Sequence, residues 1–498
     1  MKPIKTTSIR TLALASAAAF LAYGSAQAAD LPLKAKAVEY VKVCSIYGAG
    51  FYYIPGTDTC IKLGGYLRAD ATLYGSSAYN APAWASNAGQ KNRVANNFIF
   101  RSRQDINIDT RTATEYGLVR TYFDATFNWT TGDAVAGGTL GVYYAFIQFA
   151  GFTFGKAVSQ FDTPWTGYPG NNTSFLIGGY DDVTGINQIS YTAEFGNGVS
   201  ASVSLEDPSS YLQSGLYNTS NPGLTATQIN NFYPAGIYGT NSYAGVEVPD
   251  IVGKIRVDQA WGLFQVSAAA HQVRASYYTP TLETSGHPGD TWGYAVQGAL
   301  SLKNLPTGPG DSFNITATYS NGATRYVIGG VSPTSFAIFS NNSIPGTYQS
   351  MAFAGAADGV FNGLNNIVGS AIQKTTAWGV RGAFNHNWSP FWSSSLFGSY
   401  TAIDYNGTAS AMICGAIGNP VGMACNPDFR IAQIGTVTRW TPVKNLTFSG
   451  EVMYTYLDQS HSGVVTWNAV GGTKPNAVTY ELKDQGVWSG NLRVQRTF

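Results

Sequence analysis

Apolar and polar residues alternate along much of this chain, with the period of two that is typical of β-strands. One clear example begins at residue 61, where the apolar face is formed by Ile61, Leu63, Leu67, Ala69 and Leu73. The opposite face of this segment carries Lys62, Arg68, Asp70 and Thr72. Arginine and aspartate are rarely buried in the core of a soluble protein unless they are paired. The pattern therefore predicts strands with one face toward lipid and the other toward water.

The same alternation recurs throughout the chain. It is clear in segments that begin near residues 98, 119, 188, 199, 251, 292, 313, 378, 446 and 487. Segments 138–157, 393–403 and 430–440 alternate less regularly, and we place strands there mainly by position. The last of the alternating segments ends on the aromatic Phe498.

The connections between these segments alternate in length. Short turns are predicted at 110–114, 150–151, 196–198, 260–262, 304–310, 386–392 and 441–445. Long loops are predicted at 74–96, 130–137, 158–184, 207–250, 272–290, 321–375, 404–429 and 458–485. Transmembrane barrels have short turns on one side and long loops on the other. The sequence therefore predicts an all-β fold, a transmembrane antiparallel β-barrel of about 16 strands.

Both ends of the chain agree with this prediction. A positively charged start with Lys2, Lys5 and Arg10 precedes an apolar stretch and the cleavage-type motif Ala26–Ala28, as in a secretory signal peptide. We predict a signal peptide at 1–28, a periplasmic N-terminal segment at 29–60 and the barrel at 61–498. Phe498 is the predicted C-terminal insertion signal. The expected location is the bacterial outer membrane, with outer-membrane lipid around the barrel.

The composition favours a barrel and argues against other classes. Charged residues make up only 11% of the chain, whereas aromatic residues make up 14%, with 57 glycines and 31 tyrosines. A soluble domain usually has about 25% charged residues. After the signal region, no apolar run approaches the roughly 18 residues that a transmembrane helix needs. The formal net charge of +1 gives no indication of a nucleic-acid partner.

Four cysteines occur in two closely spaced pairs, Cys44 with Cys60 and Cys414 with Cys425. An even number and short spacings in an exported chain indicate two local disulfides. The alternative is that one pair remains reduced. Neither pair has C-x-x-C spacing or a neighbouring histidine, so metal binding is not expected.

Three stretches resemble the alphaproteobacterial porin family. Residues Val38 to Arg68 read VEYVKVCSIYGAGFYYIPGTDTCIKLGGYLR, and Ala145 to Pro164 read AFIQFAGFTFGKAVSQFDTP. The ending QRTF, Gln495 to Phe498, also matches the family pattern. The resemblance implies a sixteen-stranded, trimeric, general-diffusion porin whose third loop folds into the lumen, a water-filled channel for small hydrophilic solutes and ions.

The resemblance also suggests where the pore narrows. The loop 158–184 follows the fifth predicted strand, where the family has its constriction loop, and its acids are Asp162, Asp181 and Asp182. The expected basic side of the constriction is formed by Arg68, Arg101, Arg103 and Arg120. We hypothesise a transverse field between these two groups. Alternatively, Arg101 and Arg103 only neutralise wall carboxylates such as Asp105 and Asp124. Acids and bases on the predicted lumen faces nearly balance, which leaves the ion selectivity open.

Two other functions remain as alternatives. A substrate-selective sugar channel would use aromatic residues along the lumen, for which the candidates are Tyr122, Phe152, Phe161 and Trp165. A secreted all-β glycan-binding protein would bury its strand faces on each other. The four histidines are scattered, and the chain has no H-E-x-x-H, G-x-S-x-G or P-loop motif. We therefore expect no enzymatic activity, no cofactor and no metal site.

Overall fold

The computed structural model describes residues 42–75, 82–165, 176–180, 184–220, 238, 240–330, 332–365, 368–467, 474–475 and 477–498. The predicted signal peptide at 1–28 lies outside these residues, and so do Asp181 and Asp182. None of the helices in the described part of the chain is long and apolar enough to cross a membrane.

Sixteen antiparallel strands of the described chain form one closed barrel. In chain order, β1 to β16 are Cys60–Leu73, Phe98–Thr114, Gly117–Thr130, Thr139–Phe149, Phe152–Ala157, Ile186–Gly196, Val199–Glu206, Asp250–Gln259, Gly262–Val273, Thr291–Lys303, Ser312–Asn321, Thr376–Asn387, Trp392–Asp404, Phe429–Val443, Leu446–Gln459 and Gln485–Thr497. Each strand pairs with the next, and β16 also pairs with β1, with Arg68 opposite Gln495. The predicted fold class is confirmed.

The connections follow the predicted alternation of lengths. The long loops, which we name L1 to L8, are 74–97, 131–138, 158–185, 207–249, 274–290, 322–375, 405–428 and 460–484. Two turns are shorter than predicted, since each leaves only two residues between its strands. The β14–β15 ladder continues to Val443 and Leu446. The β2–β3 ladder continues to Thr114 and Gly117. Thr110 and Thr121 share a side-chain hydrogen bond across this ladder, so the polar stretch that indicated a turn belongs to the strands.

The short connections at one end of the barrel are tight turns, which need only a few residues. Between β4 and β5, Ala150 and Gly151 both have positive φ, 50° and 86°. Two consecutive residues in this region form the type I′ turn, whose twist matches that of the strands it joins. A Cβ atom at Gly151 would lie 2.9 Å from the Thr192 carbonyl oxygen, so glycine is required there.

The two faces of the wall have the predicted characters. Apolar side chains such as Leu67 and Phe100 are exposed on the outer face, whereas Asp70 and Arg101 on the same strands are buried inside. Large aromatic residues project outward at both rims, among them Trp488 near L8 and Trp392 near a short turn. Aromatic belts at both interfaces are typical of transmembrane barrels.

The N-terminal segment is a small lobe attached to β1. A 3₁₀ helix, Ser45–Tyr47, is followed by a short strand, Tyr52–Tyr53, that pairs with the start of β1. The Cys44–Cys60 disulfide closes the lobe, and the Arg111 guanidinium lies 4.7 Å from the ring centroid of Phe51. The second disulfide, Cys414–Cys425, joins a helix in L7, Gly407–Ile417, to the end of that loop. Both predicted pairs are therefore present.

Thiol labelling of the unreduced, denatured protein is expected to detect no free cysteine. After proteolysis, peptides with Cys44 and Cys60 should remain linked, and so should peptides with Cys414 and Cys425. Bridges that close loops of this size stabilise a fold by roughly 3 kcal/mol through restriction of the unfolded chain. Labelling at all four positions would contradict the pairing.

L6, L7 and L8 form a folded cap at the extracellular end of β12–β16, which we call the loop cap. Its main sheet contains Ser335–Ser340, Ser350–Gly355, Val478–Leu482, Ser462–Trp467 and Met423–Ala424. A second sheet of Leu216–Asn218, Thr240–Asn241, Gly359–Phe361 and Gln373–Lys374 joins L4 to L6. The remaining short elements are Gly363–Asn365, Val368–Gly369, Ser86–Gly89, Arg325–Ile328 and Glu283–Ser285.

The loop cap is held by an apolar core. Phe336, Phe339 and Phe353 of L6 are fully buried against inward-facing side chains of the barrel, such as Ile403 and Ile431. The cap also contains His461, whose pKa burial lowers to about 3, so its ring is neutral at ordinary pH. Its Nδ1 accepts a hydrogen bond from the Asn426 N–H, and its Nε2 contacts the Tyr238 hydroxyl at 2.9 Å.

Candidate channel constriction

L3 leaves the barrel wall at the short strand β5 and turns into the lumen, and its first residues are anchored by Glu206 on β7. This carboxylate is fully buried. It accepts hydrogen bonds from the Ser159 hydroxyl (2.6 Å) and the Gln160 backbone N–H (2.8 Å). Ser204 donates a third bond to the same carboxylate at 2.6 Å. A buried carboxylate needs such donors, so the start of L3 is fixed to the wall.

The next residues of L3 lie along the inner faces of β9 and β10. The Gln265 side chain donates to the Asp162 carbonyl oxygen at 2.7 Å. Ser267 and Gln297 both donate to the Phe161 carbonyl oxygen, at 2.8 and 2.9 Å. Three lumen-facing side chains thus donate hydrogen bonds to backbone carbonyl oxygens of L3, as the N–H groups of a neighbouring strand would.

The returning part of L3, residues 176–180, lies against β12–β14. Arg381 on β12 is fully buried and donates to the carbonyl oxygens of Leu176 (3.1 Å) and Tyr180 (2.6 Å). The Gln433 side chain on β14 accepts a hydrogen bond from the Ile177 N–H at 2.9 Å. The predicted inward fold of the third loop is therefore present, since its described parts contact the inner wall at β7, β9–β10 and β12–β14.

Three of the four predicted arginines lie close together on the wall formed by β16, β1 and β2. Arg101 pairs with Asp70, and Arg493 on β16 donates to the same carboxylate at 2.6 Å. Arg68 lies opposite Arg103 in the ladder and donates to Gln495 at 2.9 Å. Asp70 and Arg101 are almost completely buried. We call the set Arg68, Arg101, Arg103 and Arg493 the arginine wall.

The arginine wall faces the anchored part of L3. In a closed barrel of sixteen strands, β1 and β9 are eight strands apart and therefore lie on opposite sides of the lumen. Arg103 contacts Asn128 at 2.5 Å, on the neighbouring strand β3. Asp162 is 3% exposed and accepts a hydrogen bond from the Thr163 N–H at 2.8 Å. The structure thus places Asp162 on the side of the lumen opposite the arginines.

Arg120 does not belong to this group. It lies opposite Arg111, three residues from the β2–β3 turn, and both arginines pair with Asp109 at 3.0 Å. Arg120 also donates to Gln148 at 3.0 Å. Its position is therefore near the short-turn end of the lumen, away from the level of Arg68 and Arg103.

The aromatic residues proposed for a sugar path do not form a row. Phe152 is exposed on the outer face of β5, beside Phe154. Phe161 is fully buried between Tyr180 and Tyr326, with ring centroids at 6.2 and 4.5 Å. Tyr122 packs against Phe146 near the short-turn end.

Sequence reasoning did not identify the residues that hold L3. Glu206, Gln265, Gln297 and Arg381 appear in the sequence as ordinary polar residues on lumen faces. The alternation shows that they point inward. Each of them, however, forms hydrogen bonds with L3, which is distant from it in the sequence. No local signal distinguishes such an anchor from a solvated side chain.

The architecture defines the class of the protein. A closed barrel with an apolar outer face, a charged inner face and a loop anchored across its lumen is a multi-pass β-barrel of the outer membrane. A family model described as a porin subfamily matches residues 30–491, so the chain belongs to that family.

Individual relatives agree with this membership. Porin Omp2b of Brucella abortus (strain 2308) is 33% identical over 267 residues, which cover 51% of this chain and 63% of the relative. Porin Omp2b of Brucella suis is 33% identical over 313 residues, 60% of this chain and 75% of the relative. The chain thus spans less than two thirds of the length of the first relative.

A solved structure supports the fold. The crystal structure of the outer membrane channel DcaP of Acinetobacter baumannii has a TM-score of 0.60 and 14% sequence identity to this chain. The similarity covers 90% of this chain and 99% of that chain. At this level of identity, the comparison concerns the barrel architecture.

Proposed function

We propose that this protein is a porin whose water-filled channel admits small hydrophilic solutes and ions by passive diffusion. The observation that carries the proposal is the anchoring of L3 across the lumen of a closed barrel. Such a loop narrows the channel, and the charged side chains of the lumen keep the channel filled with water. The relatives at 33% identity are named as porins, which supports the same activity here.

The charged side chains of the lumen determine how readily different solutes pass through the channel. The arginine wall stands on one side of the narrowed path and Asp162 on the other, which gives a field across the pore axis. Polar solutes and water align in such a field, whereas apolar solutes are slowed because they disrupt the ordered water. Asp181 and Asp182 are further proposed contributors from the same loop.

The protein is further proposed to act as a homotrimer. In the middle of β2, the outward Gln104 lies between Leu67 of β1 and Phe127 of β3. The outward Ser102 lies between Ala69 and Trp129 of the same two strands. On β5, Lys156 shares the outward face with Phe154, and its ammonium donates to the carbonyl oxygens of Val142 (2.8 Å) and Tyr143 (3.2 Å). Polar groups are costly against hydrocarbon, so this side of the barrel fits contact with other subunits better than contact with lipid.

The domain division is also part of the proposal. Residues 1–28 are the cleaved signal peptide, and residues 29–60 are a periplasmic segment whose described part is the disulfide-closed lobe. Phe498, directly after the last strand, is the proposed insertion signal, and its N–H donates to the Gly65 carbonyl oxygen at 3.1 Å.

Reconstitution into a planar bilayer tests the activity. We expect ohmic current steps, grouped in threes if the trimer inserts as a unit, because an open aqueous path has no gating requirement. In liposome swelling, uptake of a series of neutral sugars should fall smoothly with size. Absence of conductance would contradict the channel, and saturable block by a single sugar would indicate a substrate-selective pore instead.

A further inference from the structure

A second feature of the lumen is a cavity between the first residues of L3 and the barrel wall, which we call the L3 cavity. It has a volume of about 270 Å³. The loop side of the cavity includes Gln160, Asp162 and Thr163, and its wall side is formed by β4, β5, β8 and β9. Gln148 of β4 and Thr153 of β5, both close to the turn at 150–151, also line it. The cavity therefore lies on the short-turn side of L3, where a solute arrives after it has passed the loop from outside.

Lys254 on β8 gives the L3 cavity a positive charge on its wall side. In the ladders, this residue lies opposite Ser202 of β7 and Ser267 of β9, so its direct neighbours are uncharged. Among the described residues, no carboxylate oxygen lies within 4.0 Å of its ammonium nitrogen. The next inward residue of the strand gives a contrast, because Arg256 pairs with Asp258 at 2.7 Å. The ammonium of Lys254 can therefore bind an anionic group of a solute.

Two buried polar atoms of L3 at the cavity have no hydrogen-bond partner in the described part of the chain. Thr163 is only 1% exposed, and its hydroxyl oxygen forms no hydrogen bond there. The side-chain oxygen of Gln160 is also buried without a donor, although its Nε2 donates to Gln188 at 3.2 Å. Buried polar groups are normally paired, because an unpaired group loses its bonds to water without compensation. Since Thr163 and Gln160 line the cavity, a polar solute can supply the missing partners.

Asp162 gives the L3 cavity a negative charge on its loop side. The backbone of this residue is fixed, because its carbonyl oxygen accepts a hydrogen bond from Gln265 at 2.7 Å. Its carboxylate accepts a bond from the Thr163 N–H at 2.8 Å and is more than 4.0 Å from the Lys254 ammonium, so the two charges form no ion pair. The cavity thus has an acid on the loop and a base on the wall, with space between them.

We propose that the L3 cavity binds a small zwitterion with the chemistry of an α-amino acid. The carboxylate of the solute accepts hydrogen bonds from the Lys254 ammonium and the Thr163 hydroxyl. Its ammonium group donates to the Asp162 carboxylate and to the side-chain oxygen of Gln160. Hydrogen bonds between charged groups are the stronger ones, so both ends of the solute are recognised. The cavity is near the lower limit for ligand pockets, roughly 300 Å³, and an amino acid with a short side chain therefore fits best.

As a solute site of the channel, the L3 cavity rests on the proposed function. A site inside a channel favours passage when it attracts the solute into the channel and still releases it readily. The L3 cavity meets this condition, because its few polar contacts lie directly inside the narrow part of the lumen. Small amino acids are then expected to pass more readily at low concentration than neutral sugars of similar size.

The test measures solute binding to the full-length barrel in detergent by saturation-transfer NMR, which does not require conduction. The probes are L-alanine, propionate, which lacks the ammonium group, and ethylamine, which lacks the carboxylate. The wild-type protein should bind L-alanine more tightly than either of the other two. K254Q should bind L-alanine about ten-fold more weakly, because a charged hydrogen bond is lost. T163V, which keeps the shape of the side chain, should also bind it more weakly.

The matched control is K62Q. Lys62 is a lumen base on β1, opposite Asp109 of β2 and on the other side of the barrel from the L3 cavity. K62Q therefore removes the same charge from the lumen without a contact to the cavity, and it should bind L-alanine like the wild type. If K62Q and K254Q weaken the binding equally, the effect comes from the overall charge of the lumen and the assigned site is wrong.

Folding of each variant is checked by its faster migration unboiled than boiled on a denaturing gel, and only folded barrels are compared. Binding of L-alanine that is unchanged in both K254Q and T163V would overturn the proposal. Equal binding of propionate and L-alanine would also overturn it, since the site would then recognise anions alone. Conductance is measured separately in planar bilayers. A wild type that binds L-alanine but carries no current would contradict the proposed function, whereas one that conducts without binding L-alanine would contradict only the L3 cavity.

Discussion

Replacement of Arg381 by methionine is expected to release the returning part of L3 and raise the single-channel conductance. Methionine fills much of the same space but donates no hydrogen bond. The carbonyl oxygens of Leu176 and Tyr180 would lose the donors that the structure gives them. Each buried group without a partner costs roughly 1–3 kcal/mol, well above the thermal energy of about 0.6 kcal/mol. Residues 176–180 are therefore expected to leave the wall, and the open-channel current should become larger and noisier.

The control for this variant is R439M. Arg439 is another lumen base, but its described bond goes to the Ser395 hydroxyl of β13 at 2.9 Å, so its removal changes the lumen charge equally and leaves L3 anchored. Both variants are measured as single channels in planar bilayers. The conservative R381K retains the charge with a single nitrogen and should fall between the wild type and R381M. If R381M and R439M change the conductance and its noise equally, Arg381 does not position L3.

Simultaneous neutralisation of Arg101 and Arg103, as R101Q/R103Q, is expected to shift the selectivity toward cations. The lumen then loses two positive charges on the arginine wall, and its carboxylates dominate the local potential. The shift appears in the reversal potential across a salt gradient. It should shrink as salt rises, because the Debye length falls from about 10 Å at 0.1 M to about 3 Å at 1 M. D162N should shift the selectivity the opposite way, since it removes negative charge from the facing side.

The double variant D70N/R101Q separates charge from structure. It removes both members of a buried ion pair, so the net charge of the lumen is unchanged while the same region of the wall is altered. Its reversal potential should stay near that of the wild type. An unchanged reversal potential in both R101Q/R103Q and D162N would place the selective region elsewhere in the channel, although the barrel and its family membership would be unaffected.

The sequence determined the barrel wall because strand alternation is a local property. Each side chain that faces lipid must be apolar and each one that faces water can be polar, whatever the rest of the chain does. The outward direction of Leu67 and the inward direction of Arg68 can therefore be inferred from these two neighbouring residues alone. The same holds for Phe100 and Arg101. Loop lengths follow from the same pattern, and the close spacing of the cysteines restricted each disulfide to a nearby partner.

Only the tertiary structure decided which residues contact the inner face of the barrel wall. Ile403 and Ile431 face inward yet are apolar, because the L6 hairpin with Phe336 and Phe353 covers them in place of water. The alternation cannot reveal this cover, since L6 reads as an ordinary long loop. Asp70 likewise accepts a bond from Arg493, which is 423 residues away in the chain. Such contacts depend on barrel closure and loop packing, and no local pattern encodes them.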